Sequence, residues 1–205
     1  MYYDFDKIMD KELLFSIIKL CEQNNAQIRG IVCDMGNQRL LSQLNVYAQK
    51  SYFFVNPVDK KRQVYIFPDV PHCLKNFRNH TLDHNLILKQ SEQNICLSKE
   101  VFEQLLISDD GDFRLCPKLS ETHIHVKGND RQRVRPATQL FSDTVSKALL
   151  FKFGGTYAEQ SKIISIVDKW FDVMNSRTKY HWKSDKCGLG KISKYLYLRT
   201  CLLTA

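Results

Sequence analysis

The sequence predicts an α/β unit over residues 1–90 followed by a mostly α-helical unit over residues 91–205. Three observations carry this. Helix-period and strand-period apolar patterns alternate through the first 80 residues, as in a chain building layered α/β structure. From about Ser91 onward strand-like runs become scarce and long helical patterns take over. The change falls near residues 85–95, with no internal repeat or low-complexity tract on either side.

In the first part, Leu13, Leu14, Ile17, Ile18 and Cys21 recur at helical spacing, and Asp10 stands where an N-cap belongs. Gln27 to Asp34 then reads as a buried strand ending on a carboxylate, with Met35, Gly36 and Asn37 as the following turn. Arg39 to Leu44 suits a short helix, and Ser51–Val55 and Gln63–Phe67 suit strands. Pro71 is placed to open a helix running through Arg78 and Leu82, because its missing N–H is no loss in a first turn.

In the second part, Ser98 caps an amphipathic pattern through Ile107. Two longer helices are expected over Val134–Leu150 and Glu159–Asn175, separated by Gly154 and Gly155.

Composition narrows the function classes. Of the 205 residues 43% are hydrophobic and 25% charged, enough for a packed core, and no window is apolar for the length of a membrane span. Acidic Asp4 and Asp6 stand where a signal peptide carries positive charge, which argues against secretion. Seven scattered cysteines with no CxxC pair fit a reducing compartment, cytoplasm or nucleus. The formal charge of +8 is concentrated at Lys60–Arg62, at Lys127, Arg131, Arg133 and Arg135, and between Arg177 and Lys194. By charge alone these are solvated faces; a polyanion partner is the other reading.

Asp34 at a strand end is where α/β enzymes set working carboxylates, and equally where a carboxylate caps the next helix. Asp69 and His72 add an acid and an imidazole just past another strand. They could face a divalent metal with Asp34, though turn and cap roles explain them as well. His123 and His125 would project to one side of an extended segment, but no third zinc ligand stands at a suitable spacing. Gly188 to Lys191 lacks the first glycine and the following Ser/Thr of a phosphate loop. Phe171, Asp172 and Asn175 lie on one helical face and could stack on and read a guanine edge. Taken alone they read more simply as core, solvated acid and C-cap.

These strings in order resemble a known family. Tyr3 to Asp6, Gly30 to Gly36 with Asp34, and Phe67 to Asn79 with Asp69 and His72 resemble the core of P-element-type DNA transposases, which include a vertebrate relative bearing a THAP-type DNA-binding domain. Pro117–Leu119, the run from Val126 to Ser142, and Trp170 to Arg177 extend the resemblance over nearly the whole chain.

The resemblance implies a partial RNase H-like domain followed by a GTP-binding insertion domain. It implies cut-and-paste transposition by acidic residues that hold Mg²⁺, with Asp34 as the second acid and metal ligand, supported by Asp69 and His72. Lys118 and Arg133 would approach the GTP phosphates, Val134 and Ser142 would line the pocket, and Phe171, Asp172 and Asn175 would hold guanine. Expected partners are transposon-end DNA, GTP and a second copy or full-length transposase, with no membrane, in the nucleus. The first and last catalytic acids would lie before Met1 and beyond Ala205. The expectation is therefore a fragment or domesticated remnant that does not cleave DNA alone. A non-catalytic GTP- and DNA-binding regulator or repressor derived from a transposase is the alternative.

Overall fold

A computed structural model describes residues 8–34, 36–47, 51–89, 94–176 and 186. The chain divides into two compact units, Met1–Asp69 and Val70–Ala205. Tyr3–Asp6, Gly188–Lys191 and, apart from Lys186, the basic stretch 177–194 lie outside the described residues.

The first unit opens with α1 (Lys11–Gln23), whose N-cap Asp10 accepts the Leu13 N–H at 2.9 Å as expected. Strand β1 (Gly30–Cys33), helix α2 (Gln38–Gln43) and strands β2 (Phe53–Val55) and β3 (Gln63–Pro68) follow. The sheet runs β1-β3-β2, with β1 parallel and β2 antiparallel to β3. Its alternation sets Phe54, Val64 and Ile66 into a core with Leu14, Ile18, Leu40 and Leu41.

The opposite face carries Val32, Val55, Tyr65 and Phe67, all exposed, with Val32 at 68%. Strand β1 is therefore half-covered rather than buried, because apolar side chains here pack against one face only. On α1 the expected stripe narrows similarly. Leu14 and Ile18 are buried while Leu13 and Ile17 face outward, since a helix lying on one sheet face hides less than half its circumference.

The second unit begins with α3 (Val70–His84), then an antiparallel hairpin of β4 (Leu86–Lys89) and β5 (Asn94–Leu97). Helix α4 (Lys99–Ser108), a short α5 (Glu121–Ile124), a 3₁₀ turn (Gly128–Gln132), α6 (Val134–Leu140), α7 (Asp143–Phe153) and α8 (Ala158–Met174) complete it. Leu74, Leu97, Phe102, Leu119, Phe141, Leu149 and Ile164 form its core.

The division at 69/70 lies earlier than the expected 85–95. Helix α3 directly follows a strand, which reads as α/β alternation. However, its Leu74 belongs to the second core, and its buried Arg78 donates to the carbonyls of Arg131 and Arg133. The hairpin at 86–97 was not anticipated: each strand is only four residues long, too short for its alternation to stand out.

The single helix expected over 134–150 is two. Phe141 leaves the helical region, and Ser142 begins α7 by accepting the Val145 N–H. Gly154, at φ 55°, supplies the expected break before α8. Helices α7 and α8 approach closely through Ser146 and Ser161. Each hydroxyl donates to the other residue's carbonyl at 2.9 Å, which satisfies both buried polar groups.

In the first unit Glu22 receives both guanidinium nitrogens of Arg62, together with the Ile28 N–H and the Asn56 amide. The Arg62 hydrogen bond is the main reason its carboxyl sits at about 2 instead of 4.5. A carboxyl with a lowered folded value stabilises the fold above its unfolded value and ceases to as pH falls through the folded one. The urea midpoint is therefore expected to fall between pH 4.5 and 2. Glu22→Gln should lower the midpoint at neutral pH and flatten that fall, as measured by fluorescence-monitored unfolding at several pH values.

Candidate functional site

The second unit contains a cavity of about 370 Å³. The start of α7 contributes Ser142, Thr144 and Val145, the second half of α8 contributes Asp168, Phe171 and Asp172, and α6 contributes Gln139. The segment 116–119 brings Lys118, and Lys186 closes from further along the chain. Four residues singled out from the sequence, Lys118, Ser142, Phe171 and Asp172, thus share one cavity although 54 positions separate the first from the last.

Each is held by its local structure. Ser142 caps α7 and also donates to the Gln139 carbonyl at 2.9 Å, so the helix break sets its position. Phe171 is half-buried against the core, and its side also lines the cavity. Asp172, 7% exposed, pairs with the Lys186 ammonium at 3.0 Å. The Lys186 carbonyl in turn accepts the Ser176 hydroxyl at 2.7 Å, which ties that residue to the end of α8. Asn175 is the C-cap of α8 and bonds through its backbone N–H to Phe171; it does not line this cavity.

The edge bearing Lys118 is fixed by Asp109, a buried carboxylate that accepts the Leu115 N–H at 2.9 Å and the Cys116 N–H at 2.8 Å. Arg114 reinforces it by donating to the carbonyls of Asp109 and Leu119. Burial first, and the Asp109 charge second, push the Cys116 thiol up to about 11, so it lines the cavity as an inert thiol.

Arg133 and Val134 line a second cavity of about 450 Å³, with His123, Arg135, Pro136 and Gln139. Gln139 belongs to both cavities. Arg133 is exposed and pairs with Asp130 at 3.0 Å, while its carbonyl is held by Arg78.

His123 and His125 form no zinc pair and are, as the lack of a third ligand suggested, one buried and one exposed histidine. The segment is a helical turn, not an extended one, so the two imidazoles diverge. His123 is buried against Ser120 and Gln139, whereas His125 is exposed beside Lys99 and Glu121.

In the first unit the parallel register Cys33↔Pro68 continues one step through the Asp69 N–H to Cys33 carbonyl bond. This sets Asp34 and Asp69 at neighbouring strand ends. Asp34 accepts the Gly36 N–H at 2.9 Å, the turn role its position allowed. His72 lies in the first turn of α3, in the other unit. Among the described residues no group of three or more His, Cys, Asp or Glu converges as a metal site.

Sequence reasoning missed Asp168, Lys186, Asp109 and the dual role of Gln139. Asp168 lies four residues before Asp172 and so shares its helical face, a signal that was there to read. The other three act through the folding back of distant segments, which no local pattern announces.

Comparison with known proteins now decides the relationship. Residues 71–187, more than half of the chain and nearly all of the second unit's described residues, match the family "TNP-like, GTP-binding insertion domain". The chain belongs to that family. It is similar to the transposable element P transposase of Drosophila melanogaster, 29% identical over 184 residues that cover 86% of this chain and 24% of the relative. The solved structure of the Drosophila P element transposase strand transfer complex superposes with a TM-score of 0.82 at 25% identity, over 94% of this chain and 45% of that one. The chain thus spans about a quarter of the curated relative's length. The cavity of Lys118, Ser142, Phe171 and Asp172 lies inside the family-matched segment.

Replacing Asp109 by Ala would leave the buried Cys116 N–H unpaired, at about 1–3 kcal/mol, while the Leu115 N–H, on an exposed residue, can turn to water. The expected result is a loss of about that size in the second unit together with faster amide exchange at Leu115 and Cys116, measured by hydrogen–deuterium exchange.

Proposed function

We propose that this chain is a segment of a P-element-like transposase whose second unit binds GTP. In this reading its first unit is part of an RNase H-like core for cut-and-paste transposition. The observation that carries the reading is the single cavity that gathers a lysine, a helix-capping serine, an aromatic face and a buried carboxylate within the GTP-binding family's segment.

Phe171 stacks on guanine, and Asp172 accepts the paired donors on the guanine edge, displacing the Lys186 ammonium. Asn175, the C-cap of α8, stands outside the cavity wall and takes no part in holding guanine in this reading. Lys118 and Arg133 take phosphate oxygens, and Val134 and Ser142 shape the walls. A buried carboxylate favours guanine over adenine because adenine offers it an unprotonated ring nitrogen, leaving an acceptor against an acceptor. GTP acts by supporting DNA binding and is not consumed.

Asp34 and Asp69 supply hard oxygen donors of the kind that Mg²⁺ takes. A two-metal clamp needs more carboxylates than Asp34 and Asp69, so in this reading DNA cleavage draws on acids from elsewhere in the transposase. Because the candidate nucleotide cavity lies wholly within the second unit, it also suits a second reading, a non-catalytic GTP- and DNA-binding regulator that pairs with a full-length transposase. In either case the +8 net charge suits transposon-end DNA as partner, and the work is nuclear.

Titration with fluorescent GTP and Mg²⁺, competed by unlabelled GTP or ATP, tests this. Saturable binding that prefers GTP is expected, with Asp172→Ala weakening it by about tenfold or more, as for loss of a charge-assisted hydrogen bond. A folded sample that binds neither nucleotide sinks the GTP reading.

A further inference from the structure

Gln139 stands on the wall common to both cavities of the second unit, and the chemistry of its neighbour fixes which way its amide faces. The Ser120 backbone N–H, which can only donate, meets His123 Nδ1 at 3.2 Å. That nitrogen is therefore unprotonated, and the neutral ring carries its proton on Nε2. Nε2 lies 3.0 Å from Gln139 Oε1, so the imidazole donates and the Gln139 carbonyl accepts. His123 is only 8% exposed, and the Ser120 hydroxyl adds a contact to Nδ1 at 3.0 Å, so the ring is held on two sides.

With the oxygen engaged, the end of Gln139 left for the cavities is its NH₂ group, which can only donate. One side of the wall is the cavity of Lys118 and Phe171; the other is the cavity of Arg133 and Arg135. A cavity in which Lys118 stands beside the Asp168 and Asp172 carboxylates, joined by a donor to a cationic cavity of Arg133 and Arg135, suits a ligand whose base sits in the first and whose anionic, acceptor-rich end crosses towards the arginines.

We propose that Gln139 is a nucleotide-contacting residue, donating to a phosphate oxygen where the ligand passes from the Phe171 cavity towards Arg133. His123 is its positioning residue, acting only by holding the Gln139 carbonyl. The ligand class is a nucleoside polyphosphate, so this inference rests on the GTP reading above and adds the path of the phosphates. Reversing the polarity of Gln139 would then penalise the phosphates and spare the base.

The test measures affinity of the full chain for guanosine, GMP and GTP. Gln139→Glu keeps the side chain's size but presents acceptors and negative charge. It should weaken GTP by well over tenfold and guanosine by less than about threefold. Gln139→Leu should lose about tenfold for GTP. His123→Leu should lose less than Gln139→Leu and add nothing in the double variant, whereas His123→Gln, which can again accept from Ser120 and donate to Gln139, should restore binding.

Wild-type protein supplies a check independent of any variant's folding: the Gln139 side-chain amide signal should move on adding GTP and stay still with guanosine. Normal GTP binding by Gln139→Glu, equal losses for guanosine and GTP, or an unmoved amide signal each overturn the assignment while leaving the guanine pocket standing. Wild-type chain that binds none of the three ligands overturns the pocket and this assignment with it.

Discussion

The guanidinium of Arg78 is fully buried in the second unit, and much of the site depends on how it is satisfied. It donates to the carbonyls of Arg131 and Arg133 and to the Asn79 side chain, which uses the planar fork of an arginine in a way a lysine could not copy. Burial, and then the nearby Arg131 charge, pull its proton affinity below the usual guanidinium value. Arg131 in turn pairs with Asp83 on the same helix, α3. One helix thus fixes both residues flanking Gln132, and through them the start of α6, where Arg133 and Val134 meet the second cavity.

From that fixed start the rest of the site is set by helix ends. Helix α6 stops at Leu140, Ser142 caps α7, and the interruption leaves Gln139 and Ser142 on cavity walls rather than on a continuous helix. The paired serines between α7 and α8 then bring the Phe171–Asp172 face towards α7. On the remaining side the buried Asp109 carboxylate holds the Lys118 edge. Ser142, Asp172 and Asp109 on or beside its border are tied into hydrogen bonds and an ion pair within the chain, which set the walls.

The first unit is organised differently. Its three-stranded sheet hides one apolar face and leaves Val32, Val55, Tyr65 and Phe67 on the other. Its two strand-end carboxylates, Asp34 and Asp69, are brought to neighbouring positions by the parallel pairing of β1 with β3.

Much of this was legible from local pattern. The Asp10 cap, the strand ending at Asp34, the break at Gly154, and the co-facial residues of α8 all express rules that act over one or two turns of chain. The resemblance carried by the Asp34 and Asp69 blocks then led to the family that the match over residues 71–187 shows. The assignment of α3 to the second unit, the hairpin at 86–97, and the divergence of His123 from His125 were not legible. Each depends on which of several apolar surfaces finds a partner, or on a segment coiling where it could have extended.

By itself the sequence determined the first-unit helix and strand types, the helix break at Gly154 and the residues worth watching, because helix and strand periods and capping chemistry are local. Only the tertiary structure decided that Lys118, Ser142, Phe171 and Asp172 share a cavity, that Lys186 closes on Asp172, and that Gln139 joins that cavity to the one beside Arg133. Those juxtapositions come from packing between helices far apart in the chain, and periodicity within a helix does not encode them.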